Sequence, residues 1–269
     1  MAHKQDDTGK QIFFLSFDQP FGDELITHLV RNEFEVYKIE DIYRLATYIT
    51  VRGRAILCIP LQETVSILQW GKYIGGIQQQ TEENPCDIIL LTKPETAEEL
   101  GTLFGINQEL LHYIDISKTE DQLKGELQSL LGTLGAKGQR SYVRFGGTNQ
   151  PNASFTFTHK GIEYSGIVHD ISSAGMACAF EEETVFDIDD RIHEIKLHLD
   201  NREFLLEGKV FQKRWLDEVK RLFIVMFDRR LPQSVRWVLQ DFIHSSLQAE
   251  LEIRLKDLPS ASIDLHSGE

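Results

Sequence analysis

The chain has 269 residues, 41% hydrophobic and 26% charged, which is enough apolar material for one large or two compact cores and excludes wholesale disorder. Net charge is −14: residues 1–135 hold 11 basic and 21 acidic side chains, and residues 136–269 hold 17 and 21. Neither half offers the broad basic face that displaces counterions from a duplex, so no duplex nucleic acid is expected as a partner, and an anionic ligand must be held by a local arginine cluster.

No apolar run approaches the roughly 18 residues of a spanning helix, so no membrane insertion is expected. The polar start from Met1 to Asp7 predicts no signal peptide. Cys58, Cys86 and Cys178 are an odd, widely spaced set that fits a reducing compartment, and the expected location is cytoplasmic.

From Gln11, short apolar runs alternate with segments of helical period. Ile12–Phe17 reads as a buried strand ended by Asp18-Gln19-Pro20, and Gly22–Phe34 as a helix with Leu25, Leu29 and Val30 on one face. Glu35–Ile39 is a second strand and Asp41–Val51 a helix whose Ile42, Leu45, Ala46 and Ile49 share a stripe. Ala55–Ile59, Asp87–Leu91 and His112–Ile116 are further strands. Helices are expected over about Glu63–Gln79 and Asp121–Leu134, the latter with Leu123, Leu127, Leu130 and Leu134 along one side.

Apolar strands alternating with helices predict an α/β domain over residues 11–134, a five-stranded parallel sheet of flavodoxin-like order. By that pattern it resembles the receiver domain of bacterial response regulators. Phosphoryl transfer in that family needs an aspartate ending the third strand and an acidic pair after the first to hold Mg²⁺. Here the third strand ends Ile59-Pro60-Leu61, only Asp18 follows the first, and Thr92 and Lys118 are the remaining matches. The resemblance therefore implies a pseudo-receiver that is not phosphorylated in the usual way.

Three glycines between Gly132 and Gly138 break the pattern, and residues 135–139 read as a hinge. Beyond it the period is two. Strands are expected at Ala153–His159, Ile162–His169, Met176–Phe180, Arg191–Leu199, Glu203–Phe211 and Leu222–Phe227, with a final helix from about Pro232. This predicts a six-stranded antiparallel β-barrel with a C-terminal helix over residues 140–256.

Enzyme chemistry is thin. Paired CxxC, HExxH, a Walker loop and GxSxG are all absent, and Asp18, Glu63 and Thr92 alone gather at the sheet's carboxyl end. No reaction, metal or cofactor is expected. His193 and His198 are odd-spaced on one strand, so opposite faces are expected for them. Lys209, Lys213, Arg214, Lys220 and Arg221 surround Trp215. They read as a charged edge that discourages strand pairing, or else as an attractor for an anion or partner.

The second domain opens Arg140-Ser141-Tyr142-Val143-Arg144, and 26 residues after Arg144 comes Asp170-Ile171-Ser172-Ser173-Ala174-Gly175. Arginine presents a planar fork of donors that matches guanine O6 and N7 or clamps phosphate. A carboxylate accepts from the N1–H and N2–H₂ of guanine, a serine hydroxyl adds an adjustable partner, and glycine permits close approach of backbone to ligand. Either motif alone is common: RxxxR as a solvated pair, DxSxxG as a capped turn. Together, in this order and at the head of a barrel, they resemble the PilZ domain family.

The resemblance covers about residues 137–250 and matches at every motif position. It implies that Arg140 and Arg144 clamp cyclic di-GMP, that Asp170 and Ser172 read a guanine edge, and that Gly175 shapes the turn. The implied function is a non-enzymatic cyclic di-GMP receptor. Ligand arrival would order Lys137–Arg144 and relay the signal to an unidentified protein effector. The alternative is a ligand-independent PilZ scaffold.

Overall fold

A computed structural model describes residues 9–15, 20–61, 65–103, 106–146, 153–181, 186–200, 202–215 and 221–260. The chain divides into two units, one of Met1–Ser141 with Leu247–Glu269 and one of Tyr142–Ser246. In the first, strands β1 (Gln11–Leu15), β2 (Val36–Ile39), β3 (Ala55–Pro60), β4 (Asp87–Thr92) and β5 (Leu111–Asp115) form a parallel sheet in the order β2-β1-β3-β4-β5. That is the flavodoxin-like order the alternation predicts. Every residue of β3 and β4 is buried, because helices cover both faces of a parallel sheet.

Those helices are α1 (Pro20–Arg31), α2 (Ile42–Arg52), α3 (Ile67–Gln80), α4 (Pro94–Leu103) and α5 (Glu120–Thr133). Side chains set their limits. Asp41 accepts from the Arg44 N–H at the start of α2, which ends at Gly53 in the left-handed region (φ 63°). Ser66 and Gln69 close a reciprocal capping box on α3. One core contains Phe13, Leu57, Tyr73 and Leu90, the other Ile12, Leu29, Cys58 and Leu127.

Three differences from the sequence reading have local causes. Helix α4 is absent from that reading, since Ala97 and Leu100 are its buried apolar side chains among the described ones and they stand amid acidic residues. On α5 the buried row is Leu123, Leu127 and Leu131, with Leu130 and Leu134 half-buried beside it. The expected hinge is partly anchored: Lys10 N–H donates to Gly135 O at 3.0 Å, Ala136 is buried, and the Lys137 ammonium lies 4.6 Å from the Phe34 ring centroid.

The second unit is antiparallel. Its strands are β6 (Arg144–Gly146), β7 (Ala153–His159), β8 (Ile162–Ser172), β9 (Gly175–Phe180), β10 (Arg191–Leu199), β11 (Arg202–Trp215) and β12 (Arg221–Phe227). The order β8-β7-β10-β11-β12-β9 closes through β8–β9 pairing into the expected six-stranded barrel, and β6 adds to β8 outside that ring. Stacked and edge-on contacts among Phe155, Phe157, Tyr164, Phe180, Phe186 and Phe223 fill one part of the interior.

A bulge between Ile192 and Ile195, with Glu194 at φ 54°, resets the alternation of β10. Ile192, Ile195, Leu197 and Leu199 all turn inward. His193 and His198 consequently share the outer face, with Glu207 and Glu203 carboxylates 3.7 and 3.6 Å away, which corrects the opposite faces expected from spacing alone.

The final helix α6 (Gln233–Lys256) starts at the expected place. The sequence reading gives all of it to the barrel, but Leu247 onward belongs to the first unit. The cause is packing: Leu251 and Leu255 are buried in the Phe13–Leu90 core, with Leu247 and Leu258 half-buried against it. Gln248 also closes the open edge of β2. Its amide accepts from the Lys38 N–H at 2.9 Å and donates to the Lys38 carbonyl at 2.8 Å, as a neighbouring strand would. No helix among the described residues is long and apolar enough to cross a membrane.

Candidate functional site

Arg144 of the first motif meets the second motif on the outer face of the barrel. Strand β6 pairs with β8 so that Arg144 lies opposite Ser172 and Gly146 opposite Asp170, while Ser172 lies opposite Gly175 on β9. A bulge between Val168 and Asp170 makes this possible. Val168 and Ile171 both point inward, so Asp170 and Ser172 are both turned away from the barrel interior, Ser172 buried within its own turn.

The Arg144 Nη1 and Asp170 Oδ2 atoms are 3.9 Å apart, with the two side chains 47% and 34% exposed. At that separation and exposure the pair is weak. Gly146 lets the strands approach here, since a Cβ on it would sit 2.9 Å from both the Asp170 Cβ and the His169 carbonyl oxygen.

Ser172 is buried and its hydroxyl is engaged in the β8–β9 turn. It donates to the Gly175 carbonyl at 3.1 Å and accepts from the Ala174 N–H at 3.3 Å. Gly175 is explained by packing: an added Cβ would lie 2.5 Å from the Val225 carbonyl oxygen and 3.1 Å from the Met226 Cα. Strand β12 therefore demands glycine there whether or not a ligand approaches. Arg140 is exposed and falls within Met1–Ser141, so it belongs to the other unit.

The remaining candidates are dispersed. Thr92 is buried at the end of β4, opposite Asp115 on β5. Lys118 donates to both oxygens of Glu126 at 2.7 and 2.8 Å, and that carboxylate holds its ammonium above the ordinary lysine value. Asp18, Glu63 and Lys220 lie outside the described residues. In the basic stretch, Lys209 and Lys213 pair with Asp189 and Asp187 at 2.6 and 2.8 Å, and Arg221 stacks 4.9 Å from the Trp215 ring centroid. No group of three His, Cys, Asp or Glu side chains is arranged to hold a metal among the described residues.

Two residues beside the motifs escaped the sequence reading. Gly146 faces Asp170, and the Met226 sulfur would lie 3.2 Å from a Cβ on Gly175. Only cross-strand register brings them there, and no sequence spacing encodes it.

No protein-family model matches this sequence, and no curated protein does. Solved structures do. The PilZ domain of YcgR from Escherichia coli with c-di-GMP matches at 16% identity and a TM-score of 0.38, covering 45% of this chain and 99% of that one. The K. pneumonia MrkH–c-di-GMP complex matches at 21% identity and 0.36, covering 44% of this chain and 55% of that one. PlzA from Borreliella burgdorferi with c-di-GMP matches at 15% and 0.28, covering 47% and 49%. This chain thus matches about half the length of MrkH and of PlzA. None of the three supports the receiver resemblance of residues 11–134, which rests on strand order alone.

Proposed function

We propose that the barrel is a receptor for cyclic di-GMP and that the protein acts by binding rather than by catalysis. The carrying observation is the register that sets Arg144, Asp170, Ser172 and Gly175 side by side from motifs 26 residues apart. Arg144, with Arg140 four residues before it, supplies guanidinium forks for the phosphates and a guanine face. Asp170 supplies a carboxylate for guanine N–H donors, and the Ser172–Gly175 turn fixes its height. No cofactor or metal enters this reading.

The relay belongs to the same proposal. Arrival of a dianion orders the segment through Arg144, and the altered surface is read by a protein effector. Ordering costs conformational entropy, which several charge-assisted hydrogen bonds must offset.

Isothermal titration of the whole protein with cyclic di-GMP tests the reading, with GTP and Arg144→Ala as controls. Saturable heat lost in the variant is the expected result. One observation favours the ligand-independent scaffold instead: the Ser172 hydroxyl is already satisfied within its own turn. Absence of heat with the wild-type protein would select that second reading.

A further inference from the structure

The motif residues begin a longer row. Across adjacent strands, Arg144 lies opposite Ser172, Ser172 opposite Gly175, Gly175 opposite Met226, Met226 opposite Lys209, and Lys209 opposite Arg191. Directly opposed residues share a face of a sheet. This row is the outward one, since its neighbours Ile171, Met176, Val225, Val210 and Ile192 all point into the barrel. A parallel outward row runs Gly146, Asp170, Ala177, Ile224 and Gln212.

Together the rows describe a strip with a distinct chemistry. Arg144 and Asp170 stand at one end, small residues Gly175 and Ala177 form the floor, and Met226 and Ile224 form an apolar shoulder. Lys209 and Arg191 lie beyond. Met226 is 38% exposed although it is apolar, and it stands between Gly175 on β9 and Lys209 on β11. Its sulfur reaches over Gly175, where the missing Cβ leaves room. A thioether is polarizable and adapts to the face of an aromatic ring. The Arg144 guanidinium at one end suits a phosphate and the thioether two strands further along suits a planar base, while Lys209 beyond it is paired with Asp189 at 2.6 Å.

We infer that the ligand surface continues past the motifs and that Met226 is the plate against which one guanine lies. This rests on the cyclic di-GMP reading above and adds a residue that neither motif contains.

The chain has three methionines, and two of them serve as references. Met176 is buried inside the barrel and Met1 is at the chain start. In whole protein labelled with ¹³C at the methionine methyls, adding cyclic di-GMP should move the Met226 methyl upfield by ring current. Met176 and Met1 should stay near their free positions. Titration of Met226→Ala should show binding weakened by up to about tenfold, and Met226→Leu, which keeps the apolar area, by less.

A Met226 methyl that stays in place while Arg144-dependent binding heat is present would overturn this inference and leave the receptor reading intact. No heat from the wild-type protein would instead remove the receptor reading on which it rests. The methyl shift needs no substitution, so a poorly folding variant leaves the test unaffected.

Discussion

The two units use their strands differently. In the α/β unit every residue of β3 and β4 is buried, so these two strands have no face left over for a ligand. Chemistry in such a sheet is confined to strand ends and loops. In the barrel, alternate residues of β8, β11 and β12 are turned outward. Each of these three strands therefore spends about half its residues on the core and offers the rest to the outside, whereas β9 is buried from Gly175 to Ala179. A recognition surface can be written on the barrel's outside without disturbing its packing, and β3 and β4 have no equivalent freedom.

That contrast can be broken at specific residues. The largest effect is expected at Leu251, which is fully committed to the α/β core although it lies at the far end of the barrel's helix. Leu251→Ala should destabilise the whole protein by about 2–5 kcal/mol, read as a lowered urea midpoint. A midpoint unchanged from wild type would mean that the α/β unit does not depend on the end of α6. Arg144→Ala comes next. Losing one charged hydrogen bond at about 1.5–3 kcal/mol should weaken cyclic di-GMP binding roughly 10- to 150-fold with the melting temperature preserved, since the side chain is exposed. Unaltered affinity would remove the site assignment.

Gly175→Ala should behave differently from Arg144→Ala. Its new methyl meets the Val225 carbonyl oxygen, which is backbone and must move. A stability loss of about 1–3 kcal/mol is expected even without ligand, and hydrogen exchange should quicken at the β9–β12 ladder. Normal melting would show that the position is reserved for the ligand. Gln248→Ala removes the two bonds to Lys38 and exposes the β2 edge. The expected cost is about 1 kcal/mol, with faster exchange of the Lys38 amide as the local readout.

Much of this layout is legible in the sequence, and the gaps have physical causes. Period-two alternation locates β7, β8, β10, β11 and β12 because each presents one apolar face, and an apolar run locates β9, which is buried over Gly175–Ala179. Uninterrupted apolar runs locate β1, β3 and β4 for the opposite reason. Helix α4 escapes because Ala97 and Leu100 are too few to make a stripe. Bulges escape entirely: the irregularity at His169 decides that Asp170 and Ser172 turn away from the interior together, and the one at Glu194 moves His193 beside His198's face. Register is equally silent. Met226 is 51 residues from Gly175 in the chain, and only the β9–β12 pairing makes them neighbours.

The smallest expected effect is no reaction at all, and it reports on both units at once. Cys58 and Cys86 lie in the α/β unit and Cys178 in the barrel, all three fully buried. Burial raises each thiol, Cys86 to about 12, so the nucleophilic thiolate is disfavoured at neutral pH. The native protein should therefore leave an exposed-thiol reagent unconsumed, while the denatured chain should consume three equivalents. The linkage has a definite sign. Below the ordinary thiol value near 9 both states are protonated and nothing is lost. Above it the unfolded chain ionises first, so stability should fall as pH rises toward 12. Partial urea then separates the units. Labelling of Cys58 and Cys86 before Cys178 would identify the α/β unit as the weaker one, and simultaneous labelling of all three would mean that the units unfold as one.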